Sequence, residues 1–371
     1  MNPKEHKIKG KPQLRAYANI LIFTVIIGAL FILNLATKPP DVLASERRPP
    51  AGLPKLTWQS VASGSFMSGF ESYAADSFFL RDGFRTIRAA TVFGIFMQSD
   101  KNGLYMGKSG AGEFKPIDAA ALRQSAEKIK KAADSLSGCN VFYAIVPDKS
   151  IYAGKYLPGF DLETAERLLA EAMGGLTYVP LADILAASSF YKTDLHWRQT
   201  EIGGVADRLC DAMGAKLDLG EYIRKIKGDF KGVYAGELAL PMNFDSMVYM
   251  DLESLTAKSL NEVTLEFEGC PVYDPVRFQG IDPYDFFLDG PQAIVLLENP
   301  EAPEGDLYIF RDSYGSSLAP LMASAYRRIA LIDLRYIDMS VLDRFVEFKP
   351  GADVLFIYSS QILNNPSVLK V

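Results

Sequence analysis

The chain has 371 residues, 49% hydrophobic and 23% charged, with a net charge of −6. That composition describes a globular protein with one large or two smaller cores, not a disordered one. Two histidines and three cysteines are too few for most zinc sites or for a disulfide scaffold.

In chain order, the first feature is a basic tail, residues 1–15. It holds Lys4, Lys7, Lys9, Lys11 and Arg15 against Glu5, a net of +4. Residues 16–37, AYANILIFTVIIGALFILNLAT, carry no charge over 22 positions. About 20 apolar residues cross a bilayer core as a helix, so this stretch predicts a single transmembrane anchor. The positive-inside bias predicts a cytoplasmic N-terminus and an extracytoplasmic remainder. A cleaved signal peptide is the rival, but its apolar region would be about 7–15 residues. Subtracting +4 from −6 leaves −10 for residues 16–371, no footprint for nucleic acid.

Residues 38–56 hold five prolines and predict a stiff linker, with an extracytoplasmic domain over 57–371. Residues 70–97 have helical apolar spacing and predict one or two amphipathic helices. Residues 103–116 are glycine-punctuated, as in a hairpin. Helical periodicity over 117–137, 162–174 and 199–214 alternates with short apolar runs at 140–147 and 176–181. Further apolar runs fall at 292–299, 306–313, 328–335 and 353–360, with a helical segment at 316–326. Continuous apolar runs suit strands buried on both faces, so the pattern predicts an α/β fold around a mostly parallel sheet flanked by helices. Residues 215–290 break it and predict an inserted, partly β segment over the carboxyl edge of the sheet.

Ligands of such sheets bind beyond the carboxyl ends of the strands. Ser313 follows the apolar run DLYIF, and the helix after it offers N–H groups to a developing oxyanion. A serine there is often a helix N-cap, a role open to Ser313 or Ser316. His196, in YKTDLHWRQ, is the only histidine beyond the basic tail, where His6 lies. Asp194, two residues earlier in an extended segment, would point the same way. Asp194, His196 and Ser313 are thus the parts of a nucleophilic triad, recognised by role rather than chain order. The bland alternative is a hydrogen-bonded structural histidine beside Trp197. A cysteine hydrolase through Cys139 would lack a second histidine.

FYKTDLHWRQTEIGG (190–204) resembles the signature of the DHHW-motif family, with Leu195 where the family has a histidine. That family is similar to the alginate O-acetyltransferase proteins and their SGNH-hydrolase-like domain. IFRDSYGSSLAPLMASAYRRIALIDLRYI (309–337) resembles the nucleophile segment. AIVPDKSIYAGKYLP (144–158), GDFKGVY (228–234) and DPYDFFLDG (282–290) match as well. The resemblance implies Asp194 and His196 as the catalytic pair and Ser313 as nucleophile. It also implies O-acetyl transfer or ester hydrolysis on a cell-surface or exported polysaccharide. A multipass membrane-bound acyltransferase would be the acetyl donor, and no cofactor is implied. Arg311 stands where SGNH enzymes have a glycine. It would serve an anionic sugar or the oxyanion, or else pair with a surface acid. Tyr314, Trp197 and Arg335 are candidates for the same pocket, and Lys149 for either a site residue or a surface charge. The alternative from another class is a non-catalytic glycan-binding or assembly protein on the same fold. Leu195 is expected to face away from the pair and to pack.

Overall fold

The computed structural model describes residues 11–107, 110–154 and 159–371. Most of the basic tail, with His6, lies outside the described residues, as do positions 155–158 of the third quoted stretch. The chain divides into two units, Met1–Arg88 and Ala89–Val371.

In the first unit, α1 (Lys11–Ala36) contains all of the uncharged stretch but Thr37. Its apolar window has a mean hydropathy of 2.4 and no share buried, long and apolar enough to cross a membrane. The proline-rich segment is not a free strut. It turns at a Leu43–Arg48 bridge, and Arg48 donates to both Asp76 oxygens at 2.6 and 2.8 Å. Then come α2 (Trp58–Ala62), α3 (Ser65–Asp76) and α4 (Arg81–Ala90). Two amphipathic helices, α3 and α4, occupy the region where one or two were expected. The Arg48 guanidinium holds the buried Asp76 carboxyl down to about 2.

The second unit opens with the predicted hairpin, as the antiparallel set β1 (Asp100–Lys101), β2 (Leu104–Gly107) and β3 (Gly110–Glu113). Next are α5 (Ala119–Ser135), β4 (Asn140–Val146), α6 (Leu162–Ala172), β5 (Thr177–Tyr178) and α7 (Gly203–Ala212). Asp118 starts α5 by accepting the Ala120 and Ala121 N–H groups, the usual device of an N-cap. The chain continues through β6 (Ile223–Phe230), α8 (Val233–Leu238), β7 (Asp245–Asp251), β8 (Thr256–Leu260) and β9 (Phe267–Cys270). It ends with β10 (Ile294–Glu298), β11 (Asp306–Arg311), α9 (Ser313–Met322), β12 (Arg328–Ile332), β13 (Asp353–Ser359) and α10 (Ser360–Leu363).

The main sheet has the order β5-β4-β13-β11-β12-β10-β8-β9. From β5 to β12 neighbouring strands are parallel. Along β11, Leu307 and Ile309 enter one core while Tyr308 and Phe310 enter the other, which is why the run is apolar throughout. Two expectations need correction. β10 runs antiparallel to β12, because residues 299–305 are too few for the crossover a parallel return needs. The 215–290 segment is not wholly an insert, since β8 and β9 extend the main sheet beyond β10. The β6–β7 ribbon, α8 and the loop that carries Tyr284 stand apart from that sheet.

Candidate active site

The parallel strands β4, β11 and β13 end side by side. Beyond β11, Asp312 caps α9 by accepting the Tyr314 N–H at 3.0 Å, and its other oxygen accepts the Ser359 N–H from the end of β13 at 2.7 Å. Asp312, rather than Ser313 or Ser316, is the cap. Ser313 is therefore the first helical residue, half-buried with its hydroxyl free of capping duty.

The stretch around His196 is a bent loop, not an extended segment. Tyr191 N–H donates to the His196 carbonyl and Arg198 N–H to Ser189, which closes residues 190–197 into a narrow hairpin. Inside it, Asp194 Oδ1 accepts the His196 backbone N–H at 3.1 Å, an Asx turn. That turn, not strand alternation, puts the two side chains together. A carboxylate only accepts, so His196 Nδ1–H donates to Asp194 Oδ1 at 2.6 Å. Nε2 is left as an acceptor, and the Ser313 hydroxyl donates to it at 2.8 Å. Asp194 and His196 are buried.

Neighbours hold this line in place. The second Asp194 oxygen accepts the Val233 N–H at 3.0 Å from the start of α8. Gly232 passes so close that a Cβ there would strike the Asp194 side chain and the Thr193 carbonyl. Asp245 on β7 accepts the Lys192 and Thr193 N–H groups at 2.9 and 2.7 Å. On the imidazole face lies Tyr284, its ring 3.6 Å away and within 4° of parallel. The Tyr284 hydroxyl donates to Ser317 at 2.7 Å, and Trp197 Nε1 donates to the same oxygen at 2.9 Å. Burial raises the Tyr284 and Tyr314 hydroxyls well above the ordinary tyrosine range. Both therefore stay protonated donors near neutral pH.

The other sequence candidates take different places. Trp197 is fully buried and braces the turn from behind through Ser317. Tyr314 donates its hydroxyl to the Leu195 carbonyl at 2.8 Å and lies edge-on to Trp197. Lys149 is neither a surface charge nor open to a ligand. Its ammonium is buried and donates to the carbonyls of Ala111, Tyr191 and Asp194, tying the hairpin β2–β3 and β4 to the His196 loop. Burial pulls Lys149 down to about 8, opposed by Asp194, Asp245 and Asp148. Arg311 does pair with an acid, but in the interior: Nη1 lies 3.4 Å from Asp333 Oδ2. Arg335 makes a two-pronged contact with the same Asp333 at 2.8 and 2.6 Å. Leu195 packs partly buried against Leu104, Ala111, Tyr234 and Leu238.

Sequence reasoning missed Tyr284, Gly232 and Asp312. The first two lie inside stretches singled out for other reasons, and Asp312 carried its own signal, an acid immediately before a helix. Among the described residues, no group of three or more His, Cys, Asp or Glu side chains is placed to hold a metal ion. Cys139, Cys210 and Cys270 are free thiols. Cys139 sits just before β4, at the strand end opposite His196.

In sequence the chain matches no protein-family profile and no curated protein. In structure it overlays a DHHW family protein from Eubacterium siraeum DSM 15702 with a TM-score of 0.56. That match has 18% identity and covers 72% of this chain and 94% of that one. Bacillus cereus PatB1 overlays with a TM-score of 0.58 at 14% identity, over 72% of this chain and 99% of that one. The same protein with a sulfonyl adduct gives 0.56 and 15%, over 70% and 95%. At these identities the likeness is one of fold: this chain shares the mostly parallel α/β architecture of the Eubacterium siraeum protein and of PatB1.

Proposed function

We propose that this protein is a membrane-anchored, extracytoplasmic O-acetyltransferase or acetylesterase acting on a cell-surface or exported polysaccharide. The observation that carries the reading is the unbroken line from Asp194 through His196 to Ser313, at 2.6 and 2.8 Å. A serine becomes a nucleophile when a neutral imidazole takes its proton, and a buried carboxylate stabilises the imidazolium that results.

In the first half-reaction Ser313 Oγ attacks the carbonyl carbon of an acetyl ester while its proton passes to His196 Nε2. The tetrahedral oxyanion needs a donor near Ser313. Tyr314 N–H is taken by the Asp312 carboxylate and Gly315 N–H by the Asp312 carbonyl. Among the described residues no acceptor takes the Ser313 N–H, at the positive end of α9, so it would serve as that donor. Collapse of the intermediate expels the alkoxide, which takes the proton from the imidazolium and leaves acetyl-Ser313. A sugar hydroxyl then attacks this ester and gives its proton to Nε2, and collapse breaks the bond to Ser313 Oγ, which takes that proton back as the acetylated sugar leaves. Water in place of the sugar makes the same machinery an esterase.

The sequence resemblance supplies the acetyl group's source and destination, a multipass membrane-bound acyltransferase and a polysaccharide. With its N-terminus cytoplasmic, α1 would tether the domain beside such a donor and raise its effective concentration there. The test is acetyl transfer and hydrolysis by the full chain with a model acetyl ester and candidate glycans, alongside labelling by a sulfonyl fluoride. Ser313→Ala and His196→Ala should each abolish turnover and labelling, and the double variant should lose little more, because the residues act as a unit. A fully active His196→Ala would remove the base and favour a glycan-binding protein on this fold.

A further inference from the structure

The first unit leaves an apolar surface open beside the end of α1. Leu80 lies in the turn that enters α4, at a φ of 57°, and Phe84 and Ile87, three apart, share one face of the helix. The three are 62%, 45% and 63% exposed. Arg81, Arg85 and Arg88 form the adjoining stripe of the same helix. Arg81 and Arg85 both pair with Glu46, at 2.6 and 3.1 Å, which fixes how the helix is rotated. Phe78 meets the Phe84 ring edge-on at 5.5 Å, yet more than two fifths of each of the three residues stays exposed, and Trp58 beyond α1 is 87% exposed as well.

What covers this face follows from its depth. Asn34, in the last turn of α1, accepts the Phe79 N–H at 2.7 Å. From Arg15 to Asn34 the helix rises about 28 Å, close to the roughly 30 Å of a hydrocarbon core. With Arg15 at one boundary, Asn34 stands at the other, and its hydrogen bond pins Phe79 and Leu80 there. This holds whichever way α1 is oriented. An amphipathic helix at that level, apolar on one face and arginine-rich beside it, lies in the headgroup–acyl boundary. Trp is the residue type enriched in the same layer.

We propose that Leu80, Phe84 and Ile87 form a lipid-facing foot that enters the leaflet from which α1 emerges. The inference rests on α1 being a membrane anchor. Its occupant is the phospholipid surface, not a second copy of the chain.

The test uses the full chain, with Trp58→Phe, reconstituted into phosphatidylcholine–phosphatidylglycerol vesicles with bromine near the acyl-chain tops. Buried Trp197 gives a constant background. Phe84→Trp places a reporter on the foot, Ile87→Trp a second one should the first misfold, Thr86→Trp one on the opposite face, and Leu21→Trp one inside α1. A ring about 5–10 Å into the boundary should lose about half its emission to bromine. The proposal expects that loss at positions 84, 87 and 21 and none at 86. Quenching at 21 alone overturns the foot and leaves the anchor standing. Quenching at none of the four overturns both. A blue shift at 84 that grows with protein-to-lipid ratio and ignores bromine means a second copy covers the face, and also overturns the proposal.

Discussion

Tyr284 is expected to act as a positioning residue for His196. Its ring lies parallel to the imidazole at 3.6 Å, and its hydroxyl is anchored on Ser317, which also holds Trp197. Tyr284→Phe keeps the ring and removes one hydrogen bond, about 0.5–1.5 kcal/mol of stability. Ser317 would still accept from Trp197, so kcat should stay within a few-fold. Tyr284→Leu removes the flat surface as well, and an aromatic stack contributes about 0.5–1.5 kcal/mol beyond its buried area. The imidazole then gains freedom to tilt away from Ser313. A displacement near 1 Å costs about 100-fold in rate, equivalent to about 2.7 kcal/mol of activation free energy. The assay is steady-state hydrolysis of a soluble acetyl ester by both variants, with folding checked by circular dichroism. The loss should fall on kcat rather than KM, since no substrate contact is removed. A folded Tyr284→Leu variant with unchanged kcat would show that the ring does not position His196.

Two further outcomes follow from other contacts. Asp312→Ala removes the α9 cap, about 0.5–2 kcal/mol, and strands the buried Ser359 N–H at a further cost of about 1–3 kcal/mol. Thermal denaturation should show a clear loss of stability, and Asp312→Asn should recover part of it. In the first unit, the Arg48 hydrogen bond depresses the Asp76 pKa from 3.8 to about 2. Its stabilising contribution is complete above pH 3.8 and is lost as pH falls through 2, because the unfolded state takes up the proton first. Asp76→Asn should flatten the pH dependence of melting over that window. An unchanged slope would count against the pairing.

The fold was legible wherever apolar runs report burial on both faces: β4, β11, β12 and β13 all fall where the runs do. Strand direction was less legible, since β10 has the composition of its parallel neighbours and only the short 299–305 loop betrays it. At the site, the scarcity of histidine and the strand-to-helix junction pointed to His196 and Ser313, which the fold brings within a hydrogen bond across 117 positions. The charged candidates fared otherwise. Lys149, Arg311 and Arg335 each sit near the carboxyl ends of strands, but buried carbonyls and Asp333 take their donors, and no spacing rule pairs Arg311 with an acid 22 positions away. Tyr284 escaped notice for the same reason. Its role depends on a loop from the 215–290 segment folding over the imidazole, a long-range contact without a local pattern.

Acyl transfer through Ser313 can be read by intact-protein and peptide mass spectrometry after brief exposure of the full chain to an activated acetyl ester, quenched in acid. One acetyl group should appear on the peptide holding Ser313 and be absent in Ser313→Ala and His196→Ala. Addition of a glycan acceptor should discharge it. Turnover of the ester with no acetyl on Ser313, or an acetyl group that forms there equally well in His196→Ala, would contradict that mechanism.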